Sequence, residues 1–173
     1  GTLFAAVGSS GNTAEEQTAA LETGVRLAAL AIETRKLYKD LVYRSEFDLL
    51  TDVYNRPSLE RYLEEQIQKA CEQDSIFGLI YIDLDDFKQV NDTYGHQTGD
   101  DALRTVARVL RKAVDELGLV AGYGGEEFGV ILPDREMAQA SQLCEKLRQA
   151  IESTTVRTSS NELRITASAG VAQ

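Results

Sequence analysis

Two groups of carboxylates mark this 173-residue sequence. Asp83, Asp85 and Asp86 crowd the end of its most apolar run, and Glu126-Glu127 follow directly on Gly124-Gly125. Residues two apart on a strand point to one face, so Asp83 and Asp85 converge if the strand continues that far. Gathering unpaired carboxylates is costly, so a cation is expected beside them. If the Gly-Gly turn lies beside the Asp83 run, four carboxylates meet. Hard oxygen ligands suit Mg2+, which typically binds through one or two carboxylates plus substrate phosphate. Asp85 is placed to cap a short helix beginning near Asp86. The free N–H groups of that helix would face phosphate, with Lys88 beside them as a point charge. Asn91, His96 and Asp100 surround a Gly95/Gly99 loop. An amide and a carboxylate together match the edge of guanine, the carboxylate accepting from N1–H and the amino group.

Singly, each feature has a plainer meaning. A Gly-Gly-Glu-Glu turn is usually a solvated hairpin, and an Asp-Asp pair a helix cap. A lone histidine is usually structural and a lone lysine a surface residue. Their occurrence together, in an order that one fold could bring into contact, is what favours a site.

The elements that must position these residues are legible from periodicity. Thr2–Gly8 reads as a short strand, followed by a loop and a capping box of Thr13 with Glu16. Residues 14–47 contain no proline and read as one long helix. In it, Leu27, Leu30, Leu37 and Leu41 lie at coiled-coil spacing, with Thr34 in the missing seam position. A second apolar row, Leu21, Val25, Ala28 and Ile32, wants a second partner, so the helix is expected to pack on a second chain. Ser58–Cys71 follows as a helix, Ser75–Asp83 as a buried strand and Asp100–Val114 as a helix. Leu119–Tyr123 and Phe128–Leu132 flank the Gly-Gly turn as a hairpin, closed by Pro133. Met137–Ile151 is another amphipathic helix, and the alternation from Leu163 to Val171 a last strand. The fold class is α+β: a ferredoxin-like mixed sheet with flanking helices, preceded by a long N-terminal linker helix.

Composition limits the rest. The chain is 43% hydrophobic and 27% charged, as globular domains are. No apolar run reaches the ~20 residues of a membrane span, and no secretory signal opens the sequence, which points to the cytoplasm. A net charge of −10 argues against a broad nucleic-acid surface, though not against one nucleotide held with a metal. Cys71 and Cys144 form no metal motif and read as two buried or partly buried thiols.

Three motifs then resemble one family. Gly124-Gly125-Glu126-Glu127-Phe128 resembles the GG(D/E)EF signature of diguanylate cyclases. Asp48-Leu49-Leu50-Thr51-Asp52-Val53-Tyr54-Asn55-Arg56 is similar to that family's D-x-L-T-x-x-x-N-R segment. Asp83-Leu84-Asp85-Asp86-Phe87-Lys88-Gln89-Val90-Asn91-Asp92-Thr93-Tyr94-Gly95-His96 resembles its D-[IL]-D-x-F-K-x-[IV]-N-D-x-x-G-H, and Gly99-Asp100 continues it. The resemblance implies a nucleotidyl-cyclase-type fold and a set of roles. Asp83 and Glu126 would ligate Mg2+ through side chains and Leu84 through its carbonyl. Two ions per site are implied, with Mn2+ able to substitute. Glu126 and Glu127 would be the catalytic acids, either one assisting deprotonation of the ribose 3′-hydroxyl. Asn91 and Asp100 would hold guanine, with His96 at the pocket edge, and Asp86, Phe87 and Lys88 would face the phosphates. In such enzymes two subunits face each other. Each 3′-hydroxyl attacks the α-phosphate of the opposite GTP, giving cyclic di-GMP and two pyrophosphates. A homodimer and GTP are therefore the implied partners.

The N-terminal stretch resembles the end of a GAF sensor domain. The expected organisation is thus 1–13 sensor remnant, 14–47 linker helix and 48–173 cyclase domain. Three features depart from the family pattern. Asp115 and Gly118 stand where its product-inhibition motif R-x-x-D would be, so no feedback through that site is expected. Gly122 replaces the arginine that usually precedes Tyr-Gly-Gly. The sequence ends at Ala172-Gln173, ahead of a K-x-x-G-R-N helix, so the domain reads as C-terminally truncated, with weak or no activity alone. The alternative function is a catalytically silent module binding GTP or cyclic di-GMP.

Overall fold

The chain, seen in a computed structural model, is described over residues 14–157 and 162–173. It divides into two compact units, Gly1–Tyr43 and Arg44–Gln173. The expected strand Thr2–Gly8, the loop after it and the Thr13 cap lie outside the described residues, as does the whole of the sensor remnant 1–13.

The described part of the first unit is helical. Helix α1 runs Ala14–Glu46, close to the expected bounds. Both of its apolar rows are open: Leu27, Leu30, Leu37 and Leu41 on one, Leu21, Val25 and Ile32 on the other, are each 59–71% exposed.

In the second unit, the D-x-L-T segment is a turn locked by its own side chains. The Asp48 carboxylate accepts from the Thr51 N–H at 2.8 Å and from its hydroxyl at 2.6 Å. Asp52 takes a left-handed φ of 59° to close the turn, and Arg111 donates to the Asp52 carboxylate at 2.6 Å. Asn55 then caps helix α2, Arg56–Gln73, by accepting from the Ser58 N–H at 3.0 Å, while Pro57 sits in the first turn. The Asn55 amide also donates to the Ser45 carbonyl at 2.8 Å. The lead-in motif is therefore mainly architectural.

The remaining elements are β1 (Phe77–Leu84), α3 (Phe87–Tyr94), α4 (His96–Val114), a 3-10 turn (Asp115–Leu117), β2 (Leu119–Gly124), β3 (Glu127–Pro133), α5 (Met137–Ser153), β4 (Thr155–Arg157), β5 (Glu162–Arg164) and β6 (Ala167–Ala172). The main sheet has the order β2-β3-β1-β6, the ferredoxin-like arrangement. The sheet is antiparallel throughout, where a mixed one was expected: β1–β3, β1–β6 and β2–β3 all pair antiparallel. The crossover through α3 and α4 joins β1 to β2 across the intervening β3, so strands running the same way are never neighbours.

Strand β1 alternates strictly. Ile80, Ile82 and Leu84 are buried, while Tyr81 and Asp83 are half-exposed. The buried row packs in one cluster with Leu103, Val106 and Leu110 of α4 and Leu147 and Ile151 of α5. Their spacing of three and four residues gives each helix one apolar stripe. On the other sheet face, Leu59 of α2 packs with Ala121 and Ile131, joined by Phe77 and Leu79. Burying a leucine such as Leu59 contributes about 1.5–3 kcal/mol. Gly129 permits this approach, because a Cβ there would press on the Leu59 side chain. Asp83 ends the row that begins with Phe77 and Leu79.

Two further expectations change. The single last strand splits: β5 pairs with β4 in a separate two-stranded sheet, and β6 alone joins the main one. Cys71 is exposed, and only Cys144 is buried.

Candidate active site

The sheet brings the two acidic clusters together by register. Asp83 of β1 pairs with Glu127 of β3, the last rung of that ladder. One step on, the Leu84 N–H donates to the Glu126 carbonyl at 3.3 Å, which latches the hairpin turn to the end of β1. The turn itself has Gly125 and Glu126 between the paired Gly124 and Glu127. Gly125 holds φ 56°, a left-handed conformation that a side chain would strain at the first position of such a two-residue loop. Burial raises the Asp83 carboxyl above its ordinary range, and Glu126, Glu127 and Asp85 raise it further. Burial, together with the Glu127 carboxylate, pushes the Tyr81 phenol up to about 12. Negative charge is thus crowded here.

Asp85 does not do what its spacing suggests. Its carboxylate accepts from the Thr166 and Ser168 hydroxyls, both at 2.7 Å, and these bonds lower its pKa. Its N–H donates to the Thr166 carbonyl at 3.0 Å. It therefore fastens the start of β6 and does not cap α3. The residue at the α3 N-cap is Asp86, at φ 53° and with no side-chain cap bond. The start of α3 thus presents backbone N–H groups with the exposed Lys88 beside them. Phe87 is buried in the core, so toward a ligand it offers its backbone alone.

Asn91 and Asp100 lie on the paired helices α3 and α4. Gly99 makes their approach possible, because a Cβ there would overlap the Asn91 amide oxygen. Gly95, at φ 83°, turns the chain between the helices, and its N–H donates to the Asn91 carbonyl at 2.9 Å. His96, expected at the loop, is the exposed first residue of α4.

The donor set tests the metal expectation. Asp83, Glu126 and Glu127 are all hard oxygen donors at one strand end, which fits Mg2+. Among the described residues, however, no three His, Cys, Asp or Glu groups are drawn together as a ready-made metal cluster. Mg2+ asks for only one or two carboxylates, the rest of its shell being water and substrate phosphate, so the donor set still fits the ion.

A family model described as diguanylate cyclase, GGDEF domain, matches residues 45–173. The chain belongs to the GGDEF family. It is 40% identical over 147 residues to the bifunctional diguanylate cyclase/cyclic di-GMP phosphodiesterase MucR of Pseudomonas aeruginosa, covering 85% of this chain and 21% of that protein. It is 37% identical over 124 residues to the diguanylate cyclase DgcP of the same organism, covering 72% of this chain and 18% of that one. The chain thus spans about a fifth of the length of these two relatives. Among solved structures, the coiled coil and GGDEF domain of DgcB from Caulobacter crescentus in complex with c-di-GMP superposes with a TM-score of 0.78 at 29% identity, over 87% of this chain and 81% of that one. The diguanylate cyclase SiaD of Pseudomonas aeruginosa, in complex with its activator SiaC, gives 0.72 at 34% identity, over 91% and 61% of the two chains.

Sequence reasoning missed several residues of this GGDEF domain's site. Thr166 and Ser168 satisfy Asp85 from more than eighty positions away, with no local signal. Tyr81 and Tyr123 stand edge to face at 5.3 Å beneath the hairpin, and the Arg56 guanidinium lies 4.3 Å from the Tyr123 ring centroid. The alternation of β1 could have exposed Tyr81, which shares the Asp83 face. A cavity of about 470 Å³ opens beside Arg56, Tyr123, Gly125 and Glu127, with Leu50 and Leu103 also on its wall. Among the described residues, no helix is long and apolar enough to cross a membrane.

Proposed function

We propose that this chain carries the catalytic unit of a diguanylate cyclase, joining two GTP into cyclic di-GMP and two pyrophosphates. The observation that carries this reading is the pairing of Asp83 with Glu127 at a strand end latched to Glu126. Asp83 and Glu126 would hold Mg2+, with the Leu84 carbonyl completing the protein's share. The ion would supply charge neutralisation at the phosphates and acidify the attacking hydroxyl. Either Glu126 or Glu127 would accept the 3′-hydroxyl proton. Asn91 and Asp100 orient guanine by its hydrogen-bonding edge, with His96 at the rim, and the α3 N-terminus and Lys88 receive phosphate. The protein's own work is positioning: two subunits, each with one GTP, place each hydroxyl opposite the other's α-phosphate. Helix α1 supports that pairing, since its two open apolar rows suit a second copy of the chain. The relatives named above, of which the chain spans a small part, support the reaction class.

GTP and Mg2+ incubated with this chain, and with the natural protein that carries it, should yield cyclic di-GMP on chromatography. Glu126→Gln should lower turnover by about 100-fold or more with the fold retained by circular dichroism. GTP binding without product in either protein would leave a silent nucleotide-binding module instead.

A further inference from the structure

The signature turn is weakly specified by its own residues. Gly122, Gly124 and Gly125 surround Tyr123, so Tyr123 is the sole side chain between Ala121 and Glu126. Glycines give a turn freedom and cost it order. The β2–β3 register also shifts between Gly122 and Gly124, leaving Tyr123 bulged out of the ladder. A bulge re-aims the side chain it carries. Here the ring is aimed between two partners from other elements. Arg56, in the first turn of α2, lies over its face at 4.3 Å from the centroid. Tyr81 of β1 meets it at 5.3 Å with a 73° interplanar angle. Arg56 is itself oriented by Glu60, at 2.7 Å. Tyr81 lies two residues before Asp83 on the same strand face. The stack Arg56–Tyr123–Tyr81 therefore ties the glycine-rich arm that carries Glu126 and Glu127 to the strand that carries Asp83.

We propose that Arg56 is a positioning residue for this reaction: its guanidinium clamps bulged Tyr123 and so sets the distance between the Glu126-Glu127 turn and Asp83. The inference rests on the cyclase reading for its catalytic consequence, but the clamp itself is independent of turnover. Tyr123→Leu, Arg56→Gln, Arg56→Lys and the double variant Arg56→Gln/Tyr123→Leu test it by three readouts. The first is amide hydrogen exchange across Gly124–Phe128. The second is affinity for Mn2+ alone, followed by the electron paramagnetic resonance of the free ion. The third is kcat and KM for GTP in the natural protein.

A solvent-exposed cation–π contact corresponds to an effect of about two- to fivefold. Arg56→Gln should speed exchange in the turn and weaken Mn2+ binding by that factor. It should lower kcat to match, with KM for GTP changed less than about twofold and the melting temperature lowered by only about 1–4 °C. Arg56→Lys should recover part of each loss, and the double variant should be no worse than the worse single one. Unchanged exchange in Arg56→Gln overturns the proposal. So does faster exchange with unaltered Mn2+ affinity, or losses that multiply in the double variant. If the parent makes no cyclic di-GMP, the cyclase reading fails, while exchange and Mn2+ binding still decide on Arg56.

Discussion

Asp83 and Asp85 are two residues apart on one strand end and have opposite electrostatic fates. Asp85 is held low by two hydroxyl donors. Asp83 is raised by burial and by the facing glutamates. A carboxyl whose folded-state pKa is raised costs stability once it ionises, so its penalty grows as pH climbs from the ordinary carboxylate range through the raised value. Asp83→Asn should therefore melt higher than the parent at pH 7, by about 1–2 °C given the solvent screening at this site. The gain should vanish in acid and shrink in high salt, while turnover is lost. Thermal melts from pH 3 to pH 8 check it. A stabilising substitution that abolishes function is the mark of a residue kept for chemistry. Asp83, Glu126 and Glu127 were readable from sequence because a period of two and a Gly-Gly turn fix where they point. Asp85 was misread because its partners Thr166 and Ser168 lie 81 and 83 positions away.

At the scale of elements, the glycines decide what the site tolerates. Gly99→Ala should drive the Asn91 amide out of place, because the new methyl would occupy the position of its oxygen. We expect GTP affinity to fall about tenfold or more by calorimetry, with the helices intact, since overpacking at such a contact costs about 1–3 kcal/mol. Gly118 is closed in a different way: a Cβ there would overlap the Ile131 carbonyl oxygen. Restoring the R-x-x-D pattern by Asp115→Arg with Gly118→Asp should therefore not restore product inhibition. Titrating cyclic di-GMP against turnover should show no high-affinity inhibition, and a urea melt should show lost stability. The long helices and β1 were legible because their periodicity is strong. The divided last strand was not, because Leu163, Ile165 and Ala167 keep one alternation while the chain passes from one sheet to another. Three-residue β4 carries too little pattern to announce itself, and the bulge at Tyr123 has no sequence signature beyond the glycines beside it.

For the whole molecule, the proposed pairing of two copies is tested on α1. Leu30 and Leu37 are each 59% exposed on the coiled-coil row of α1. Leu30→Asp with Leu37→Asp should shift sedimentation from dimer to monomer and make specific activity rise with protein concentration, if the helix aligns the two sites. The domain's own sheet carries a different constraint. Asp83 and Glu127 share the final rung of a ladder that runs back unbroken to Phe77 and Pro133. Sliding β3 by one residue would turn Glu127 toward the core and bring buried Phe128 out to the rim. Substitutions along these strands alter the site by degrees, but a single inserted or deleted codon between them and the turn would invert it. Length variation in this lineage should accordingly collect in the connections away from that rung, leaving the hairpin a stretch that evolves by replacement alone.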